Sequence, residues 1–354
     1  MTNPLFWQRY RLASSLGLDL LVVSSAGRAG DLVQATTDGN LYLLGRGEKA
    51  RLGRVGAVEQ ALNLPAGTRI YDLAATIDGW VATGSLPSDD DVDLLVVQDR
   101  AGERELLGQP PDRRGRYRVQ AVALVDAGHL AGVAWIEGDQ QEAFEVRAAV
   151  WDGANFGEPE VVSGVGPGAQ LALEGAVLAD GSWLLVWAAV DGEDDEILWS
   201  VRRQESWSTP SRLHRDNSVP DITPSLVAID GGALVAWSWF DGNDYRLRQA
   251  RFNGKSWSEP EVFGARGSLE PGFTTHDDSV RLLYRTVEPP SWTLIEYDRT
   301  GAETRRAVAE GDIDDRPLVL AGDEIEAVLW WHTKDDEADS VREWRVRVPW
   351  ETEP

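Results

Sequence analysis

The chain has 354 residues, of which 42% are hydrophobic, so it is long enough for one large β domain or two ordinary domains. Its 59 acidic residues outnumber the 34 basic ones and give a net charge of −25, which argues against binding nucleic acid phosphates or an anionic membrane surface. The absence of cysteine excludes disulfides, zinc–thiolate sites and cysteine nucleophiles.

The N-terminal segment carries no basic region followed by an apolar stretch, so we do not expect a signal peptide. No apolar run approaches the roughly 20 residues that a membrane helix needs. We therefore expect a cytoplasmic protein that does not associate with membranes.

From residue 18 onward the chain repeats a unit of about fifty residues. In the clearest unit, the runs 226–229, 233–240, 245–252 and 257–263 read as four short strands. Dipeptides that supply the positive φ of hairpin turns separate the runs: Asp230-Gly231, Asp241-Gly242 and Asn253-Gly254. The pattern predicts seven such units, over residues 18–55, 69–108, 118–163, 171–214, 222–263, 271–308 and 315–348.

Two sequence features recur in register along these units. An aromatic residue follows the first hairpin turn in five of them, at Trp135, Trp187, Trp237, Tyr284 and Trp330. A proline ends the fourth-strand motif at Pro159, Pro210 and Pro260, and proline belongs on an edge strand because it donates no backbone hydrogen bond. We expect five tryptophans to pack between neighbouring units: Trp135, Trp187, Trp207, Trp237 and Trp257.

The last unit lacks a fourth strand, and the segment 5–13 resembles that strand in spacing and character. The sequence therefore predicts a single all-β domain over 1–354: a seven-bladed β-propeller of four-stranded blades, closed by its N-terminal strand. The first unit is the weakest, and without it the ring would have six blades.

The W-x-x-P strand ends and D-G turns over residues 121–263 resemble those of bacterial sialidase-like propellers of the BNR-repeat type. The Ser-x-Asp-x-Gly-x-x-Trp box of that group is not found here. Its arginine triad, its Tyr/Glu pair and its catalytic acid have no matching positions either. The resemblance therefore implies the fold and no catalytic residues.

The turns between second and third strands, together with one inter-blade loop, are rich in aspartate. On the predicted topology they share one face of the propeller. The candidate partner-binding residues are Asp89, Asp90, Asp91, Asp93, Asp191, Asp194, Asp195, Asp241, Asp244, Asp314, Asp315, Asp335 and Asp336. Such a face would attract a basic protein or peptide. The alternative interpretation is that solvated turns use aspartate for local hydrogen bonds.

Other chemistry has weaker support in the sequence. The run 191–196 has the oxygens for calcium but lacks the full loop pattern with its distal glutamate. The four histidines are scattered, and we predict no metal site and no cofactor. The less regular Trp239, Trp292 and Trp331 are the tryptophans most open to exposure. The basic segment 113–118 is expected to pair with neighbouring acidic loops.

These observations favour a non-enzymatic interaction protein, a monomer by itself, that serves as a regulatory or inhibitory subunit for a basic partner. The alternative is a carbohydrate-binding lectin or a sialidase-like glycoside hydrolase. The first function predicts salt-sensitive binding to protein, and the second predicts salt-tolerant binding to sugar.

Overall fold

The computed structural model describes residues 32–35, 41–44, 51–54, 60–87, 92–108, 110, 117–138, 144–164, 170–191, 194–214, 219–276, 279–310, 318–320, 326–335 and 340–351. All regular secondary structure in these ranges is β-strand, arranged as seven antiparallel sheets in chain order. The architecture is that of a β-propeller, which confirms the predicted fold class.

The first three sheets are simple meanders of four strands. Sheet 1 contains β1 (Leu32–Ala35), β2 (Leu41–Leu44), β3 (Arg51–Arg54) and β4 (Gln60–Ala61). Sheet 2 contains β5 (Arg69–Thr76), β6 (Gly79–Pro87), β7 (Val92–Arg100) and β8 (Glu103–Leu106). Sheet 3 contains β9 (Tyr117–Asp126), β10 (His129–Gly138), β11 (Phe144–Val150) and β12 (Glu160–Val161).

The remaining sheets follow the same order. Sheet 4 contains β13 (Gln170–Val177), β14 (Trp183–Asp191), β15 (Asp194–Arg203), β16 (Ser206–Trp207) and β17 (Ser211–Arg212), the last two both pairing with β15. Sheet 5 contains β18 (Asp221–Ile229), β19 (Gly232–Phe240), β20 (Tyr245–Phe252) and β21 (Glu261–Phe263). Sheet 6 contains β22 (Ser268–His276), β23 (Ser279–Val287), β24 (Pro290–Tyr297) and β25 (Glu303–Glu310). Sheet 7 contains β26 (Leu318–Leu320), β27 (Glu326–Asp335) and β28 (Ser340–Pro349).

The segment 5–13, proposed as the closing strand, lies outside the described residues. The number of blades in the closed ring, seven or six, therefore stays a prediction.

Short turns with left-handed backbone join the strands. Between β9 and β10, Ala127 has φ 45° and Gly128 has φ 80°. Two successive residues with positive φ match the twist of the flanking strands, which is why such turns close tight hairpins.

The first strands of successive sheets lie side by side and run in the same direction. Gln120 of β9 exchanges two hydrogen bonds with the backbone of Leu173 on β13, at 3.1 and 2.8 Å. Val122 and Leu124 follow Gln120 on β9 and lie near Gly175, which follows Leu173 on β13. The two strands therefore run in the same direction. The sheets consequently present their second-to-third turns on the same face.

A bulge recurs near the start of the first strands β13, β18 and β22, just after the second residue of each. The next residue, Ala172, Thr223 or Glu270, has φ between 51° and 57°, although none is glycine. A bulge leaves one residue out of the ladder, and here it turns backbone groups toward the preceding sheet. Glu270 accordingly donates its N–H to the Ser238 hydroxyl at 3.0 Å.

The core consists of side chains packed between neighbouring sheets. The recurring aromatic residues Trp135, Trp187, Trp237 and Tyr284 are all buried on their second strands. Trp237, for example, packs against Leu184 and Val186 of the preceding sheet. This confirms the predicted packing between units for Trp135, Trp187 and Trp237. Trp207 and Trp257 are half-buried and pack against clusters that span two neighbouring sheets, as predicted.

The prediction that Trp292 is open to exposure is wrong. This residue lies on the third strand of its sheet, where it is 1% exposed and packs with Leu283 and Leu294. Trp239 is half-buried, and the side chain of Trp331 lies outside the described part of the structure. Irregular spacing in the sequence is therefore a poor guide to exposure, because third strands also contribute to the core.

Candidate functional site

We call the face that carries the second-to-third turns the loop face. Among the described candidates, Asp93 is the second residue of β7, Asp194 and Asp195 begin β15, and Asp241 and Asp244 lie between β19 and β20. Asp194 is 4% exposed, whereas the other four are half-buried. The observed strand order thus places these five carboxylates on the loop face.

Not every predicted residue is among those the structure describes. Asp191 and Asp335 are the last residues of β14 and β27, where those strands reach the loop face. The remaining candidates lie outside the described residues: Asp89, Asp90, Asp91, Asp314, Asp315 and Asp336.

Local hydrogen bonding explains part of the acidity. The backbone N–H groups of Asp244 and Asn243 donate to Asp241 at 2.9 and 3.0 Å, and they lower the pKa of its carboxyl. On the opposite face Asp152, Asp180 and Asp298 accept similar bonds from groups within four residues, and the pKa of each is also lowered. Turns on both faces therefore use one aspartate as a local acceptor.

Close pairs of carboxylates occur in the described turns of the loop face, Asp194 with Asp195 and Asp241 with Asp244. Among the described turns of the opposite face, Asp152 and Asp180 stand alone, and Asp298 is followed by Arg299. The sequence also has an adjacent pair, Asp277 and Asp278, between the first two strands of sheet 6. Adjacent aspartates are therefore not confined to the turns between second and third strands.

A second feature lies where sheets 4 and 5 meet. Glu196 is near the start of β15, His214 follows β17, and Asp221 opens β18. Their ligand atoms all lie within 4.8 Å of one another, and within the described ranges no other set of three such side chains does so. We call these three residues the Glu–His–Asp cluster.

The cluster is largely withdrawn from solvent. Glu196 is 1% exposed, and the side chains of His214 and Asp221 are 10% and 0% exposed. His214 Nε2 lies 3.0 Å from Asp221 Oδ2. His214 is therefore the member through which solvent can reach the other two.

Two tryptophans and an arginine surround the cluster. The Trp237 indole N–H donates to Asp221 Oδ1 at 2.7 Å, and the His214 ring stacks on Trp237 with centroids 5.8 Å apart. The Arg248 guanidinium lies over the Trp239 ring at 3.8 Å, and its Nη1 is 3.3 Å from His214 Nε2. Burial lowers the pKa of Arg248, while the charges of Asp221 and Glu196 oppose that effect.

The sheet repeat identifies the equivalent of each cluster residue one sheet earlier. The backbone N–H of residue 213 donates to the carbonyl of residue 197 in sheet 4, as that of 162 does to 146 in sheet 3. The strand registers then align the cluster with Glu145, Ser163 and Gln170. In that earlier set the Ser163 hydroxyl donates to Gln170 Oε1 at 2.8 Å.

One sheet later, the equivalent positions are Arg246, Gly264 and Ser268. A histidine–aspartate pair thus stands at one junction, while its neighbours on both sides have uncharged residues at the same two positions. Because the same fold forms around the neutral pairs, the blade does not require the charged pair.

A different buried ion network occupies sheet 3. Arg147 Nε lies 2.9 Å from Glu137 and 2.9 Å from Glu145, and all three side chains are at most 5% exposed. The Trp135 indole N–H donates to Glu137 at 2.9 Å. Arg147 corresponds in register to Arg248, but its partners come from its own sheet, so this network stabilises a single blade.

The sequence alone did not indicate the cluster. In the sequence His214 is one of four scattered histidines, whereas the fold places it against two carboxylates from different strands. Alignment of the repeats would have indicated the cluster. The positions of His214 and Asp221 carry only serine, glycine or glutamine at the two neighbouring junctions.

No protein-family model matches the chain, and no curated protein does. Among solved structures, an ulvan lyase of a polysaccharide lyase family is similar with a TM-score of 0.54 and 11% identity, over 91% of this chain and 95% of the lyase. A prolyl endopeptidase is similar with a TM-score of 0.50 and 13% identity, over 97% of this chain and 52% of that enzyme, so the chain spans about half its length. The tricorn protease gives a TM-score of 0.51 and 11% identity, over 90% of this chain and 34% of that protein.

These likenesses concern the fold alone. They support the class of β-propeller and point to no particular propeller family or activity. Within the described residues, no helix has the length and hydropathy needed to cross a bilayer.

Proposed function

We propose that this β-propeller is a non-enzymatic binding protein that presents its loop face to a basic protein or peptide. In this role it would act as a regulatory or inhibitory subunit. The observation that supports the proposal is the pairing of carboxylates on the loop face of adjacent sheets, Asp194 with Asp195 and Asp241 with Asp244.

The physical basis is electrostatic attraction over several ångströms. A chain with a net charge of −25 surrounds itself with a negative potential, and paired carboxylates on half-buried turns concentrate it locally. A partner rich in lysine or arginine would be drawn to this face and oriented by it. Salt should weaken such a complex, because exposed charges are screened beyond about 8 Å at physiological ionic strength.

The test is co-purification from the native host at low salt, followed by a high-salt wash and measurement of affinity for any stoichiometric partner. A variant with Asp93→Asn, Asp195→Asn and Asp244→Asn removes three negative charges from the loop face. We expect this variant to lose at least tenfold in affinity at low salt, and much less at high salt.

The matched control removes three negative charges from the opposite face, through Asp152→Asn, Asp180→Asn and Asp298→Asn. Asparagine keeps a side-chain oxygen that can accept the turn hydrogen bonds in both variants. Equal losses in the two variants would show that only net charge matters. Unchanged affinity of the loop-face variant would contradict the proposal.

Carbohydrate binding or hydrolysis, including a sialidase-like activity, is the second candidate. The observation that favours it is the pair Glu196 and Asp221, whose carboxylate oxygens approach within 4.8 Å beside Trp237. Retaining glycosidases of the two-carboxylate type hold these groups about 5 Å apart, whereas sialidases use a tyrosine nucleophile, so the pair favours the two-carboxylate type. A glycan array and a panel of fluorogenic glycosides test this candidate, with Glu196→Gln as the control; no signal in either assay would remove it.

A further inference from the structure

His214 Nε2 has two neighbours with opposite requirements. Asp221 Oδ2, at 3.0 Å, can only accept, so this contact needs a proton on Nε2. Arg248 Nη1, at 3.3 Å, can only donate, so this contact needs a lone pair on Nε2. No protonation state of the imidazole satisfies both contacts.

A divalent cation would satisfy the groups that converge here. It takes an imidazole lone pair together with one oxygen each of Asp221 and Glu196, and one ligand atom from each of the three residues already lies within 4.8 Å of the others. One imidazole nitrogen and two carboxylate oxygens form a donor set suited to zinc and similar first-row ions, which in open sites use three protein ligands plus water.

The surroundings of Asp221 have the form of a second coordination shell. The Trp237 indole N–H holds Oδ1 at 2.7 Å and leaves Oδ2 directed at His214. Such outer hydrogen bonds orient ligating carboxylates and imidazoles in metal sites. The stacking of the His214 ring on Trp237 fixes the imidazole in the same way.

The neighbouring junctions show that this arrangement is a local specialisation. Ser163 and Gln170 form a neutral hydrogen-bonded pair at the equivalent positions one sheet earlier. Glu145 is buried at the position of Glu196 one sheet earlier, so this junction differs by its histidine and aspartate, which add an imidazole nitrogen and a second carboxylate beside the glutamate.

We propose that Glu196, His214 and Asp221 bind one divalent transition-metal ion, of the zinc type, at the junction of sheets 4 and 5. The ion replaces Arg248 as the positive group that faces His214 Nε2. It reaches the site past His214, the most exposed of the three ligands. This site is separate from the proposed partner-binding function, and each can fail without the other.

The experiment uses the full chain after treatment with a chelator, titrated with Zn²⁺ by calorimetry and with Co²⁺ by visible absorption. We expect one equivalent of each ion, with Co²⁺ bands that report a nitrogen and oxygen ligand set. The variant His214→Ser with Asp221→Gln copies the neutral pair of the preceding junction and is expected to fold. It should bind Zn²⁺ at least a hundredfold more weakly.

Two further variants sharpen the test. His129→Ser removes an exposed histidine at the start of β10 and should leave the affinity unchanged. Arg248→Met removes the competing positive charge and should tighten Zn²⁺ binding by about tenfold, since like charges at this distance repel. If the double variant does not fold, His214→Gln takes its place. No saturable binding by the wild-type chain, or one equivalent bound by wild type and double variant alike, would overturn the proposal.

Discussion

Trp237 donates its indole N–H to Asp221 Oδ1 at 2.7 Å, inside a junction where the tryptophan and the carboxylate are both fully buried. Trp187 occupies the same position one sheet earlier and is equally buried, but its indole N–H has no hydrogen-bond partner among the described residues. Two identical side chains in equivalent places therefore differ by one charge-assisted hydrogen bond.

This difference predicts unequal costs for the same substitution. Trp237→Phe and Trp187→Phe both remove part of a buried ring, but only the first leaves a buried carboxylate oxygen without its donor. We expect Trp237→Phe to lower the free energy of unfolding by about 2 kcal/mol more than Trp187→Phe. Urea denaturation of the two variants checks this, and equal losses would show that the hydrogen bond contributes nothing.

The buried network of sheet 3 predicts a large effect of removing its cation. Arg147→Met removes the cation that lies 2.9 Å from both Glu137 and Glu145 in the core. We expect a loss of about 3–5 kcal/mol in the free energy of unfolding.

The control for that experiment is Arg306→Met. Arg306 Nη2 lies 3.0 Å from Glu303, and the two side chains are 36% and 34% exposed. Exposed ion pairs contribute at most about 1 kcal/mol, so this variant should be nearly as stable as the wild type. A similar loss of unfolding free energy in both variants would show that burial does not determine how much the network contributes to stability.

Glu296 makes the stability of the protein depend on pH in the acid range. Burial alone raises its pKa, but hydrogen bonds from Arg305 at 2.8 Å and Arg281 at 3.0 Å outweigh that effect, and the net pKa is lowered. A carboxyl whose pKa is lower in the folded state stabilises the fold above its unfolded pKa, and this stabilisation is lost as the pH falls through the folded value.

Glu296→Gln should therefore be less stable than wild type at neutral pH, and the gap should narrow as the pH drops below about 4.5, the ordinary range of a glutamate. Unfolding free energies measured between neutral and acid pH check this. A gap that stays constant or widens on acidification would contradict the assigned role of Glu296.

The sheets were predictable from sequence because their signal is local and repeated. Turn dipeptides such as Asp230-Gly231 mark the hairpins, and Trp135, Trp187 and Trp237 recur at one place in the blade. The five described loop-face aspartates could also be assigned to one face, because strand order within a meander decides which turns lie together.

The Glu–His–Asp cluster was not predictable in the same way. Glu196 and Asp221 come from strands of two sheets and His214 from the segment after β17, so the pairing of β15 with β17 and the packing of sheet 5 on sheet 4 bring them together. The burial of Trp292 was not predictable for a related reason. It depends on the strands that pack against this residue, and the residues next to Trp292 in the sequence do not indicate them.

The most direct test of the central claim, that the loop face is the binding surface, is a hydrogen-exchange footprint of the complex formed with a captured basic partner. The proposal predicts slowed exchange at the starts of β7, β15 and β20, with the turns at Asp152, Asp180 and Asp298 unchanged. Protection confined to those opposite-face turns, with the loop face exchanging as in the unbound protein, would contradict it.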